Sequence, residues 1–168
     1  RTARNHNVLS DHVIIATQFP FYEGQAFYST RMYPSRSYVL GLTSNQDYPG
    51  GMYLDIDQPK RSIRYVKHEN ETVWLGRESH KTGQYHKENT DPYRDLQHFG
   101  SQYLDVKDWQ YQWSTQDFTT LDKIPYVGSL NRRHPNVYVA TGFRKWGMTN
   151  SVVAAHLLTD LIMDKDNP

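Results

Sequence analysis

Residues 137–151 contain a pattern that could hold an electron-rich or anionic ligand. An apolar run is followed by a turn bounded by Gly142 and Gly147, and then by a helical pattern. Glycine lets a backbone approach a ligand closely, and a helix N-terminus offers unpaired N–H groups with a partial positive charge. Thr149 or Asn150 could cap this helix or bond the ligand. An ordinary strand–turn–helix connection has the same pattern, so both interpretations stay open on these residues alone.

Two short apolar runs, at residues 13–17 and 136–142, must position this turn. Continuous apolar runs of this length are typical of strands buried on both faces, as in a parallel sheet. We expect the two runs to be parallel neighbours, because the chain between them supplies the long crossover that parallel strands need. The helix is expected from about Met148 to Met163, with a broad buried stripe. The apolar positions of this stripe are Val152, Ala154, Ala155, Leu157, Leu158, Leu161 and Ile162.

The middle of the chain predicts an antiparallel meander with one helix. The strand-like runs are residues 35–43, 52–56, 63–67 and 72–75, with a turn at 69–71, and a short extended element at 124–128 belongs to the tail of the chain. Asp91 and Pro92 predict a helix start, since they form a capping residue followed by proline in the first turn. One face of this helix would contain Leu96, Phe99, Tyr103 and Leu104.

Residues 108–117 alternate aromatic and polar side chains, which predicts another strand. In that strand Trp109, Tyr111 and Trp113 are expected to share one face. We expect the tryptophans here and at Trp74 to pack within the meander rather than to contact a substrate.

The composition excludes several kinds of site. The chain of 168 residues has no cysteine, which excludes disulfides, cysteine-ligated zinc, iron–sulfur ligation and thiol nucleophiles within it. Its 8 histidines show no metal-ligand spacing, so we predict no metal site. A net charge of +1 with scattered basic residues argues against nucleic acid or an anionic membrane as a partner. No apolar run approaches the roughly 18 residues of a membrane span and no signal peptide is visible, which fits a cytoplasmic protein.

Three segments, taken in order, resemble the D-amino-acid-oxidase family of flavoproteins, which includes the glycine and sarcosine oxidases. The segments are residues 13–17, residues 113–117 with Asp122, Pro125 and Gly128, and residues 142–150. The first resembles the strand that closes the first part of the FAD domain, the second the return from the substrate domain, and the third the flavin loop. The match is closest to a bacterial subgroup whose members have an appended Rieske domain.

The resemblance implies an FAD cofactor that this chain helps to bind. The cofactor-binding residues that it implies are Thr17, Gly142, Lys145, Trp146, Gly147, Met148 and Thr149. The N–H groups of Gly147, Met148 and Thr149 would face the pyrimidine edge of the flavin, where reduction leaves negative charge. Sarcosine-oxidase-type members have a histidine where Trp146 stands and a substrate-pairing lysine where Thr149 stands. The resemblance therefore does not extend to a covalent flavin linkage or to that carboxylate clamp.

By the same resemblance the substrate is a small amine or amino acid. Arg36, Tyr38 and Gln116 are the candidates for contacting it. Arg36 could pair with a carboxylate, although an ordinary surface arginine would look the same in the sequence. No catalytic side chain is assigned, because hydride passes to the flavin and no acid or base is required of this chain.

The family's pyrophosphate-binding turn, Gly-x-Gly-x-x-Gly after a first strand, has no counterpart in this sequence. We therefore expect a segment of a longer protein whose N-terminal part is its main partner. By itself the segment is expected to bind FAD weakly and to be inactive. In the Rieske-bearing subgroup, a 2Fe-2S centre would lie in a further C-terminal domain.

Together the patterns predict an α+β fold. An antiparallel meander substrate domain with a helix is framed by two parallel strands and a C-terminal helix of an incomplete, Rossmann-like FAD-binding domain. The expected divisions are residues 1–20 (a remnant of the FAD-binding domain), 21–118 (the substrate-binding domain) and 119–168 (the C-terminal part of the FAD-binding domain). The expected function is flavin-dependent oxidation of the C–N bond of an amine or amino acid. The alternative is a non-enzymatic β-rich module that binds a peptide or another ligand.

Overall fold

The computed structural model describes residues 2–57, 60–67, 71–77, 80–84 and 91–167. The chain forms two compact units: unit 1 contains residues 1–33 and 117–168, and unit 2 contains residues 34–116. By their contacts residues 21–33 cluster with the flanking segments of the chain. The turn predicted at residues 69–71 lies, except for its last residue, outside the described residues.

The α+β class predicted from the sequence is confirmed. In chain order the elements are β1 (Val13–Ile15), α1 (Tyr28–Arg31), β2 (Met32–Ser44), β3 (Tyr53–Leu54), β4 (Arg61–Lys67), β5 (Glu71–Arg77), α2 (Pro92–Tyr103), β6 (Val106–Thr120), β7 (Tyr126–Asn131), β8 (His134–Thr141) and α3 (Gly147–Ile162). The chain passes from one unit to the other within β2 and again within β6.

Unit 1 is built on a three-stranded sheet in the order β1-β8-β7. β1 runs parallel to β8, with Val13 opposite Val137 and Ile15 opposite Val139, so the predicted parallel pair is confirmed. β7 runs antiparallel to β8 on its other side. β1 is an edge strand of the described sheet, and its first two residues, Val13 and Ile14, are 45% and 49% exposed.

The two faces of this sheet are packed differently. On one face Tyr138 and Ala140 pack against Ala154 and Leu158 of α3. On the other face Val139 packs with Leu130 of β7 and with two side chains that lie between β1 and β7 in the sequence, Tyr28 and Met32.

Helix α3 is less buried than its apolar pattern predicts. Of the expected stripe, only Ala154 and Leu158 are buried, and Leu157 and Ile162 are partly buried. The other apolar positions are exposed, namely Val152, Ala155 and Leu161. The reason is that, within the described residues, α3 packs on one side only, against β7 and β8, whereas the apolar pattern covers most of its circumference.

Unit 2 is a five-stranded sheet in the order β3-β4-β5-β2-β6 with helix α2 packed on it. The described pairs β3–β4, β4–β5 and β5–β2 are antiparallel, as expected for a meander. Leu96 of α2 is 0% exposed and packs among leucines of β2 and β5. Gly100 allows the close approach, because a Cβ there would lie 2.5 Å from a methyl group of Leu75.

The strand β6 does not keep its aromatic residues on one face, which corrects the prediction from the sequence. Trp109 packs against the core beside Gly100 of α2. Tyr111 and Trp113 instead lie against Trp74, with ring centroids 5.6 and 4.8 Å from it. Since Trp74 neighbours the buried Leu75 and so faces the other side of the sheet, the two-residue alternation must be interrupted between Trp109 and Tyr111.

Helix α2 begins where the sequence predicts. Asp91 is the N-cap, and its carboxylate accepts a hydrogen bond of 3.0 Å from the N–H of Tyr93, with Pro92 as the first helical residue. The predicted apolar face is only partly correct, because Tyr103 is exposed at the last position of the helix.

Replacing Asp91 with alanine is expected to lower the free energy of unfolding by about 0.5–2 kcal/mol, the usual cost of losing an N-cap side chain. Urea denaturation followed by circular dichroism measures this loss. The matched control is Asp108→Ala, because the side chain of Asp108 is exposed on β6 and forms no hydrogen bond among the described residues. Equal losses in the two variants would contradict the capping role.

Candidate functional site

The carboxyl ends of β1 and β8 meet at one edge of the unit 1 sheet, because the two strands are parallel. The main chain just beyond them is joined there: the Thr141 hydroxyl donates to the carbonyl of Gln18, and the Thr17 hydroxyl donates to the carbonyl of Phe19 at 2.7 Å. Helix α3 begins six residues beyond Thr141, after the loop 142–146. In open sheets with parallel strands, this carboxyl edge is where ligands bind.

Gly142 makes the turn out of β8 in a conformation that other residues rarely adopt. Its φ is 76°, and a Cβ added there would lie 2.5 Å from the Cγ2 methyl of Thr120. Both the backbone angle and the lack of space therefore require glycine. The rest of the loop is fixed to the end of β6, since Phe143 bridges to Thr119 and the N–H of Arg144 donates to the carbonyl of Phe118 at 3.2 Å.

Lys145 also ties the loop to β6. Its Nζ lies 3.1 Å from Oδ2 of Asp117, and both side chains remain partly accessible. An ion pair of this exposure contributes little to stability. Its effect is to hold the loop, and with it the start of α3, against one end of β6.

The N-terminus of α3 is open. Trp146 is the N-cap residue and none of the described side chains caps the helix, so Thr149 and Asn150 do not take the capping role that was one of the two left open by the sequence. Asn150 instead donates its backbone N–H to the carbonyl of Trp146 at 2.9 Å, the first bond of the helix. In the described part of the chain, the N–H groups of Gly147, Met148 and Thr149 have no acceptor.

The space around this helix end is also free. A Cβ added to Gly147 would meet no atom of the described part of the chain within 4 Å, and Met148 is 88% exposed. Three N–H donors at the positive end of a helix of 16 residues are suited to a planar group that gains negative charge. The donor set and the room beside Gly147 therefore fit the polar edge of a flavin ring.

The three substrate candidates lie in unit 2 on β2 and β6. Arg36 is partly buried, and its Nη1 donates to Oγ of Ser114 at 3.1 Å. Oε1 of Gln116 accepts from the hydroxyl of Thr82 at 3.0 Å. Tyr38 is 9% exposed, and its ring packs edge-on against Tyr93 in the core. Arg36 and Gln116 thus offer accessible polar groups, whereas Tyr38 is mainly a packing residue.

The sequence did not reveal the part that the end of β6 plays in fixing the loop. In the sequence Asp117 was only one residue of the 113–117 motif, and nothing in the local pattern predicts that it pairs with Lys145. No cluster of metal-ligating side chains occurs in the described residues. Among the same residues, no helix combines the length and the apolar character needed to cross a membrane.

Comparison with known proteins gives three kinds of match. Residues 2–161 match the family model for FAD dependent oxidoreductases, DAO. The chain is 44% identical over 168 residues to the Rieske 2Fe-2S iron-sulfur protein YhfW of Bacillus subtilis (strain 168), covering 99% of this chain and 33% of that protein. The chain thus spans about a third of the length of this curated relative.

Two solved structures have a similar fold. Glycine oxidase from Bacillus cereus ATCC 14579 matches with a TM-score of 0.66 at 16% identity, over 93% of this chain and 43% of that chain. Fructosyl amine: oxygen oxidoreductase (Amadoriase I) from Aspergillus fumigatus matches with a TM-score of 0.71 at 12% identity, over 98% of this chain and 42% of that chain. At these identities the likeness concerns the fold alone.

Proposed function

The chain belongs to the family of FAD-dependent oxidoreductases, and we propose that it is the substrate-binding and flavin-contacting part of a longer enzyme that oxidises the C–N bond of a small amine or amino acid. The observation that supports this most is the open N-terminus of α3, at the carboxyl edge of two parallel strands. Bound FAD would supply the chemistry by accepting a hydride equivalent from the carbon next to nitrogen.

In this proposal the residues of the chain hold and orient the flavin. The N–H groups of Gly147, Met148 and Thr149 face its pyrimidine edge, and Gly142 and Gly147 let the main chain come close. Lys145 acts indirectly, since its ion pair with Asp117 fixes the loop. Thr17, two residues beyond β1, and Trp146, the N-cap residue of α3, would lie beside the same edge of the flavin.

We propose that the rest of the FAD-binding domain comes from another part of the same longer protein. Residues 1–20 and 119–168 would belong to that Rossmann-like domain, and 21–118 would be the substrate domain. The free edge of β1 and the exposed apolar positions of α3, among them Val152 and Val153, are the surfaces that it would cover. The length of the curated relative, about three times that of this chain, leaves room for it.

For the substrate we propose Arg36 as the carboxylate partner and Gln116 as a second polar contact. Tyr38 would support the site as a packing residue. The solved relatives are named for oxidation of glycine and of fructosyl amines, which supports a small amine or amino acid. The name of the curated relative supports a 2Fe-2S centre in the longer protein. The proposal keeps the cytoplasmic location expected from the sequence.

The proposal is tested on the full-length protein by its visible spectrum and by adding amines without oxygen. We expect an oxidised-flavin spectrum that bleaches with at least one small amine or amino acid, such as glycine, sarcosine or fructosyl glycine. Arg36→Gln should weaken reduction by carboxylate-bearing substrates at least about tenfold, the value of a lost charge-assisted hydrogen bond. The matched control Arg64→Gln, at an exposed position of β4, should change nothing.

A full-length protein without flavin would contradict the proposal and favour the non-enzymatic alternative. Flavin that no amine or amino acid reduces would contradict the proposed reaction while leaving the cofactor in place.

A further inference from the structure

The edge strand β3 of unit 2 and its two flanks hold apolar side chains that point away from the core. Met52, Leu54 and Ile56 alternate along the chain and so share one face, and they are 79%, 70% and 87% exposed. Tyr53, between them, faces the other side, where its ring packs edge-on against Tyr48. Three exposed apolar residues in alternation on a sheet edge favour a partner that covers them.

The outer edge of β3 also has main-chain groups without a described partner. Asp55 donates its N–H to the carbonyl of Arg61 at 2.8 Å, so the main chain of Asp55 faces β4. The direction of these groups alternates along an antiparallel strand, and Leu54, opposite Ser62, therefore points its N–H and C=O to the outer edge. Among the described strands only β4 neighbours β3, which leaves the outer edge open to a further strand.

The sequence around Leu54 is complementary to itself. When two copies of β3 pair antiparallel about a two-fold axis at Leu54, each Leu54 faces the other, and Met52 faces Ile56 of the second copy. Asp55 then faces the neutral Tyr53 of the second copy, so no like charges are opposed. The main chain agrees with this register, because the residues whose N–H and C=O groups point outwards are the ones that exchange hydrogen bonds in it.

Other registers lose these properties. A shift by one residue sets Leu54 against Asp55 and takes the outward groups of one copy out of line with those of the other. An axis at Asp55 opposes two carboxylates, which is destabilising. An axis at Tyr53 leaves Ile56 opposite Gly50, which has no side chain to cover it.

We propose that the full-length protein forms a two-fold dimer in which the β3 strands of two copies pair antiparallel about Leu54. The pairing joins the two unit 2 sheets into one and covers the exposed apolar side chains of both copies. A two-fold contact closes on itself and stops at two copies, so it does not lead to the open-ended association that a free apolar edge invites. The other possible occupant of this edge is a different part of the longer protein, which would leave the protein monomeric.

Sedimentation velocity of the full-length protein measures the dimer directly, and we expect a dimer at micromolar concentrations. Leu54→Pro should raise its dissociation constant at least about tenfold, because it removes one outward N–H from each copy and leaves the bonds to β4 in place. Leu54→Asp should do the same, because it sets two carboxylates opposite each other. Leu54→Val is the matched control, since it keeps both the N–H and an apolar side chain, and it should leave the constant nearly unchanged.

Single cysteines test the register without disturbing the main chain. Leu54→Cys puts two thiols directly opposite each other, with Cα atoms about 5.5 Å apart, which a disulfide can bridge. Met52→Cys is the matched control, because its two copies lie about 13 Å apart along the strand, four residues at about 3.3 Å, too far to bridge. Met52→Cys mixed with Ile56→Cys should again give linked dimers. Mild oxidation and non-reducing electrophoresis, with the unmutated protein as background, measure the linkage.

A full-length protein that stays monomeric would overturn the proposal. In that monomer, slow hydrogen exchange at the N–H of Leu54 would show that another part of the longer protein occupies the edge. A dimer that withstands both Leu54→Pro and Leu54→Asp would equally overturn the proposal, as would a dimer that links through Met52→Cys alone as readily as through Leu54→Cys. Circular dichroism of each variant checks its folding, and the cysteine result stands even where the proline variant misfolds.

Discussion

Replacing Gly147 with valine is expected to weaken FAD binding by the full-length protein by up to about thirtyfold, or roughly 2 kcal/mol, the upper end of a helix-terminus interaction. The branched side chain would stand beside the three free N–H groups and hold the flavin edge away from them. Stability should change little, because an added Cβ meets no described neighbour within 4 Å. Fluorescence titration of the apoprotein with FAD measures the affinity.

The reduction potential of the bound flavin distinguishes this role from a structural one. Loss of the positive helix end should lower the potential, because the reduced flavin loses more stabilisation than the oxidised one. His156→Val is the matched control, since it puts the same side chain at an exposed polar position further along α3. Thr149→Ala should leave stability nearly unchanged, because its side chain caps nothing. Unchanged affinity and potential in Gly147→Val would show that the loop does not contact the flavin.

Replacing Gly142 with alanine is expected to lower the free energy of unfolding by about 2–5 kcal/mol. Two costs add: about 1–2 kcal/mol for a left-handed backbone at a residue with a Cβ, and about 1–3 kcal/mol for overpacking. The backbone cost follows from the φ of 76°, and the packing cost from the 2.5 Å approach to Thr120. Urea denaturation of the apoprotein measures the sum.

Gly83→Ala separates the two costs. Gly83 has a φ of 84°, close to that of Gly142, but a Cβ there meets no atom of the described residues within 4 Å. It should therefore show the backbone cost of about 1–2 kcal/mol alone. If the two variants lose equal stability, the contact with Thr120 has no energetic weight, and the argument from packing is wrong.

The sequence predicted the elements whose evidence is local. The apolar runs that became β1 and β8 could be paired because both lack polar alternation, which is a property of each run by itself. Asp91 followed by Pro92 marked the start of α2 for the same reason. The chemistry of a helix start lies within a few neighbouring residues.

Features that depend on distant partners were not predicted. How much of α3 is exposed depends on how many elements pack against it. The apolar pattern of the helix does not indicate how many those will be. Trp109 and Tyr111 lie on opposite faces of the sheet because Trp109 packs against α2, whereas Tyr111 packs against Trp74 on the other side. In the candidate site, the glycine turn was visible in the sequence. The ion pair between Lys145 and Asp117 was not, since it joins residues far apart in the chain.

Unit 2 is one continuous stretch of chain, whereas unit 1 is made of two separate stretches. This difference sets the order in which the two units can fold during synthesis. Unit 2 is a single stretch, residues 34–116, so its core can close as soon as that stretch leaves the ribosome. β1 is made earlier but must wait for β8, its neighbour in the sheet. At about 5–20 residues per second, this wait lasts roughly 6–25 seconds. During that time β1 lacks its neighbour among the described strands, and its short length, 3 residues, limits how readily it pairs with other chains.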